Sequence, residues 1–91
     1  TQRMFELSAL SAPGRIYAEL LRMSEPSQED ATRRTIRRAP SMTELARRVN
    51  TTRETTSRTV NDLERRGLLR RSHEAFELID PDLLNRMLSA S

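Results

Sequence analysis

Four side chains near the middle of the chain combine reactive types with a readable spacing. Arg53, Glu54, Ser57 and Arg58 stand at i, i+1, i+4 and i+5, which is one face of a helix turning about 100° per residue. A guanidinium forks onto the O6 and N7 acceptors of guanine, and a carboxylate accepts from the amino group of cytosine. The set therefore suits the reading of G·C pairs in a major groove. A carboxylate facing DNA is repelled by phosphate, so Glu54 makes sense there chiefly if it meets a base donor. Its competing use is an i, i+4 bridge to Arg58, a pair that stabilises a helix by roughly 0.2–0.5 kcal/mol. Other chemistries lack their residues. There is no cysteine, His73 is the single histidine, and no glycine-rich phosphate loop, nucleophile with a partner base or acidic metal cluster appears. Catalysis and metal binding are not expected, and His73 reads as an exposed residue of a loop tip.

Charge placement points the same way. Between positions 33 and 71 twelve arginines face four acids, whereas the flanks hold four arginines and nine acids, so the net +3 conceals a strongly basic centre. Such a centre is the footprint of a polyanion-binding face. All sixteen positive residues are arginine, a side chain that forks onto phosphate and guanine better than lysine. Ninety-one residues make one domain with a core able to fold unaided. No apolar run approaches the roughly 20 residues of a membrane span. A cytoplasmic, soluble protein is expected, and a chain opening on Thr1 reads as a piece of something longer.

The elements that position these side chains can be read around them. Met4, Phe5, Leu7 and Leu10 recur at helical spacing, and a second helix follows Ser11 with Pro13 in its first turn and Ile16, Tyr17, Leu20, Leu21 and Met23 along one stripe. Residues 24–35 lack periodicity and read as a mobile loop. A short extended piece leads to Pro40; then Ser41 and Glu44 form a capping box before a helix of about ten residues with Met42, Leu45, Ala46 and Val49 inward. Asn50 tolerates the left-handed turn, and Thr52 caps the helix that carries the four reading residues, with Thr56, Val60 and Leu63 inward and Gly67 past its end. Two apolar runs around a polar tip at 72–74 suggest a β-hairpin. Asp80 and Pro81 then start a last helix with Leu83, Leu84, Met87 and Leu88 inward. The four methionines, Met4, Met23, Met42 and Met87, fall on apolar stripes as core fillers. This order predicts a mainly α fold with a small β-hairpin, the winged helix-turn-helix, whose second helix (53–66) enters the groove. Phosphate anchors are expected at Ser41, Thr43, Thr51 and Thr52 beside the helix starts, and at Arg70 and Arg71 in the wing.

The segment RETTSRTVNDLERRGLL resembles the recognition helix of the Crp/Fnr transcription regulators, whose pattern runs R-E-T-V-S-R followed by L-E-x-x-G-L-I. The similarity extends upstream through SMTELARRVNTT and to GRIYAELLRM, covering most of residues 11–80. The resemblance implies that Arg53, Glu54 and Arg58 take the family's base-reading places on TGTGA-type half-sites of a palindrome. Ser57 matches the serine used by the anaerobic branch on TTGAT-type sites, so a half-site with a TGA element is expected. It also implies a homodimer on double-stranded DNA, contact with RNA polymerase, residues 1–10 as the end of a dimerisation helix ahead of a domain at 11–91, and an effector such as a cyclic nucleotide in an N-terminal domain, with no cofactor in this chain. Two positions depart from the pattern. Thr56 replaces an apolar residue and should bond its hydroxyl back to a carbonyl, and Asn50 replaces the turn glycine. A protein-docking winged helix or another winged-helix regulator family are the competing readings; docking predicts an exposed apolar patch, DNA binding a steep salt dependence.

Overall fold

The computed structural model describes residues 11–90, and the helix and hinge expected over residues 1–10 lie outside that range. Helices α1 (Ala12–Met23), α2 (Met42–Arg48), α3 (Arg53–Arg65) and α4 (Pro81–Ser89) and strands β1 (Glu25–Pro26), β2 (Arg34–Ile36), β3 (Leu69–Ser72) and β4 (Ala75–Leu78) follow one another as α1-β1-β2-α2-α3-β3-β4-α4. Each helix starts where a side chain of the right type stands ready. The oxygens of Ser11, Ser41, Thr52 and Asp80 each accept from a backbone N–H three residues on, at 3.1 Å. That satisfies one of the donors a helix leaves unpaired at its start. The left-handed positions are also where they were expected: Asn50 turns the chain between α2 and α3 at φ 57°, and Gly67 leaves α3 at φ 75°.

The helices and sheet close over one core. Ile16, Leu20, Leu45, Val60, Leu63, Leu78 and Leu84 are fully buried, and Ile36, Leu69 and Phe76 pack with them. α2 has only seven residues, too few to persist alone, so its burial of Leu45 and Ala46 against α3 and α1 is what holds it. It is shorter than the ten residues expected because the left-handed Asn50 ends it. Only the forward half of its capping box forms: the Glu44 carboxylate turns along the helix to Arg48 at 3.7 Å.

The sheet is antiparallel in the order β1-β2-β4-β3. β3 and β4 form the expected hairpin, turning at His73 and Glu74, the latter at φ 59°. Phe76 and Leu78 alternate inward with Ala75 and Glu77 outward, as a half-buried strand requires. β2 lies against β4, with Ile36 opposite Phe76, so the wing continues a larger sheet.

Two expectations are corrected. Residues 24–35 are not a structureless loop: β1 pairs with β2, and Asp30 accepts from the N–H and hydroxyl of Thr32 inside the connection. The Arg34 guanidinium donates to the hydroxyl and carbonyl of Ser24 at 2.7 and 2.9 Å, closing the end of α1. Leu83 does not face the core but is exposed; on α4 the fully buried position is Leu84, with Met87 and Leu88 beside it. Met23 and Met42 are also partly buried on the core, whereas Met4 lies outside the described residues.

Polar contacts tie α1 to α2. Glu19 accepts from Arg22 and, across the helix interface, from Arg48 at 3.1 Å. The Arg22 hydrogen bond, opposed by burial and aided by Arg48, holds the Glu19 carboxyl below the ordinary glutamate value. A lowered folded-state value stabilises above the unfolded pKa, and the contribution is lost as pH falls through the folded one. Glu19→Gln is accordingly expected to flatten the acid limb of a stability-against-pH curve below the usual glutamate pKa, read by urea unfolding at a series of pH values.

Candidate nucleic-acid interface

α3 divides cleanly into two faces. Thr56, Thr59, Val60 and Leu63 are buried, while Arg53, Glu54 and Arg58 are exposed and Ser57 is half-buried at the margin. The inward hydroxyl of Thr56 donates to the carbonyl of Thr52 at 3.0 Å, the back-bond expected of it, so a polar atom in the core is satisfied. Thr52 accepts from the Thr55 N–H and fixes the start of the helix, setting the height at which Arg53 and Glu54 leave the backbone.

Charge pairing engages much of the basic centre, although Arg38 and Arg47, like Arg53 and Arg58, have no side-chain partner among the described residues. Arg37 lies 2.7 Å from Glu25, Arg48 3.1 Å from Glu19, and Asp62 holds both Arg65 and Arg66 at 2.9 and 3.1 Å. Among the described residues Arg53, Glu54 and Arg58 make no ion pair or hydrogen bond through their side chains, and the i, i+4 bridge between Glu54 and Arg58 does not form. Each arginine there keeps five donors for a ligand, and Glu54 keeps its acceptors.

The turn before α3 is gripped from outside. Arg15, near the start of α1, donates through Nε to the carbonyl of Val49 at 2.9 Å and through Nη2 to that of Asn50 at 3.4 Å. A cation on the last carbonyls of α2 opposes the negative end of that helix. Sequence reasoning missed this residue, because its partners lie 34 and 35 positions away and nothing local marks them. Of the expected phosphate anchors, Ser41 and Thr43 are exposed at the start of α2; Thr51 is half-buried in the turn and Thr52 is exposed.

The wing residues differ from one another. Arg70 is exposed, with a distant approach to Glu77 at 3.9 Å. Arg71 is engaged with α3: its Nε lies 2.9 Å from Glu64, its Nη2 donates to Asn61 at 2.9 Å, and its guanidinium stands 5.9 Å from the centroid of the Phe76 ring. His73 is exposed at the hairpin turn, which a 2.7 Å bond from the Ala39 N–H to the Glu74 carbonyl ties to the segment before α2. Among the described residues no group of three His, Cys, Asp or Glu side chains is placed to hold a metal, and no helix is long and apolar enough to cross a membrane.

Comparison with known structures finds the same fold in other proteins. A transcriptional regulator of the CRP/FNR family from Thermus thermophilus superposes with a TM-score of 0.73 at 23% identity, over 99% of this chain and 46% of that one. The CO-dependent transcription factor CooA from Carboxydothermus hydrogenoformans, in its imidazole-bound form, gives 0.73 at 22% identity over 86% of this chain and 37% of its own. A second CRP-family regulator from Thermus thermophilus gives 0.73 at 22%, over 97% and 45%. The chain thus spans less than half the length of each, and at these identities the likeness establishes the fold, a winged helix-turn-helix. No curated protein sequence matches the chain. The sequence family described as the Crp-like helix-turn-helix domain matches residues 14–87, from the first turn of α1 to the last turn of α4. On that match, the chain belongs to the family of Crp-like helix-turn-helix domains.

Proposed function

We propose that this domain reads double-stranded DNA by sequence, with α3 in the major groove and Arg53, Glu54, Ser57 and Arg58 on the base edges. The observation that carries the reading is that a carboxylate and two arginines, Glu54, Arg53 and Arg58, stand together on the exposed face of α3 without partners among the described residues. Unpaired arginines together with an unpaired carboxylate suit a ligand offering both acceptors and donors, as a G·C pair does. The half-site is of TGTGA or TTGA type. Ser41, Thr43, Thr51, Thr52 and Arg70 flank α3 as phosphate contacts that set its register. A docking module is disfavoured because Leu83 is the large hydrophobic exposed among the described residues, which falls short of a patch.

In the longer protein the domain acts as one of a pair on a palindrome, with half-sites about 34 Å apart. Linking the two raises the effective concentration of the second to about mM, an advantage a single domain lacks. RNA polymerase is a partner and an effector-binding domain the controller in that arrangement. The test is selection of duplexes from a random pool by this chain at two salt concentrations. Recovered sequences are expected to share a TGA-containing half-site, with recovery falling steeply as added salt lowers the entropy gained from the counterions that binding releases. A pool that remains random at both concentrations rejects sequence reading.

A further inference from the structure

Arg71 belongs by type and place with the phosphate contacts, yet its surroundings point elsewhere. It sits on β3 opposite Phe76, a buried residue of β4 that is itself opposite Ile36 of β2. From this anchored position its guanidinium meets Glu64 and Asn61 of α3, each at 2.9 Å, and lies 5.9 Å from the Phe76 ring centroid. Asn61 and Glu64 are i and i+3, so one planar fork spans a turn of α3. Asn61 is also one helical turn beyond Ser57 and Arg58. The grip therefore falls immediately behind the residues proposed to read bases.

We infer that Arg71 is a positioning residue: it fixes the angle between the wing and α3 and so sets base discrimination, without contacting phosphate. This rests on the reading of α3 as the DNA-recognition helix. The geometry supports it in three ways. The charge of Arg71 is met by the Glu64 carboxylate, so a phosphate would gain it only by displacing that partner. Two hydrogen-bond acceptors and a ring hold the fork, and moving it gives up all three contacts together. Arg70, one residue earlier, has only the 3.9 Å approach to Glu77 and 68% side-chain exposure, against 40% for Arg71. The two neighbours thus divide the work, with Arg70 facing outward and Arg71 joining sheet to helix.

Phosphate contact and positioning predict changes in different quantities for one variant. If Arg71 gripped phosphate, removing Glu64 would free it and tighten binding to every duplex. As a positioning residue it loses its partner, and discrimination falls. Affinities of the 91-residue chain and its R71A, R71K, E64A and R71A/E64A variants would be measured across a salt series, on a duplex recovered by the selection and on a scrambled one. Thermal unfolding of each variant would confirm that it is folded. R71A and E64A are each expected to lower the preference for the selected duplex about tenfold, comparable with a mismatched base pair, with the slope of log affinity against log salt unchanged. The double variant is expected to be no worse than R71A. R71K should resemble R71A, because a point ammonium cannot span Glu64 and Asn61; it also keeps the test open should R71A not fold. A salt slope reduced by about 0.9 in R71A, or unchanged discrimination in R71A and E64A, overturns the inference. Wild-type chain binding both duplexes equally would instead sink the reading of α3 itself.

Discussion

Leu63→Ala is expected to lower the free energy of unfolding by about 2–5 kcal/mol, the range for truncating a buried leucine. Leu63 has no exposed surface and lies on the inward stripe of α3 with Val60 and Thr56. Truncation removes apolar contact and leaves a cavity that a close-packed core collapses into only in part. A domain of this size has roughly 5–15 kcal/mol in total, so the loss is a large share of what it has. Urea unfolding measures it directly through the midpoint. Leu83→Ala supplies the internal control: that side chain is exposed on α4, and a surface change of this kind falls within about 0.5 kcal/mol. Equal losses at the two positions would contradict the packing described for α3 and α4.

Arg58→Ala is expected to weaken binding of a selected half-site by about 1–3 kcal/mol and to relax preference at one base pair. Its side chain is exposed and unpaired, so no internal partner is stranded by the change and stability should hold. This makes the variant a clean probe of recognition. Fluorescence anisotropy on duplexes substituted one base pair at a time would locate the affected pair. An equal loss on all sequences, with a shallower salt slope, would identify Arg58 as a phosphate contact.

Much of the fold was legible because its signals are local. Ser11, Ser41, Thr52 and Asp80 each announce a helix within three residues of themselves, and Asn50 and Gly67 mark two of the three left-handed positions, the third being Glu74 in the hairpin turn. The stripe Thr56, Val60, Leu63 located the buried side of α3 and, by subtraction, the face with Arg53, Glu54 and Arg58. β1 escaped because two residues have no period to detect; it exists through backbone pairing with β2, 8 to 10 positions away. Leu83 stands at helical spacing from Met87 and so reads as inward, but α4 presents only a narrow stripe to α1, centred on Leu84. The roles of Arg15 and Arg71 were illegible for a different reason. An arginine in a basic stretch looks alike whether solvent, a carbonyl or a distant carboxylate receives it, and here the receivers lie 34 residues off for Arg15 and 7 to 10 off for Arg71.

The strand order has a consequence for self-association. A sheet four strands wide leaves two rims, and an unpaired rim is a template on which another chain can extend the ladder. Here one rim is β1, two residues long and ending in Pro26, which has no N–H to offer. The other is β3, where the exposed Arg70 sets a like charge against an incoming copy. Both rims thus resist edge-to-edge growth into fibrils, and the molecule is expected to tolerate crowding at high concentration without its wing serving as a seed.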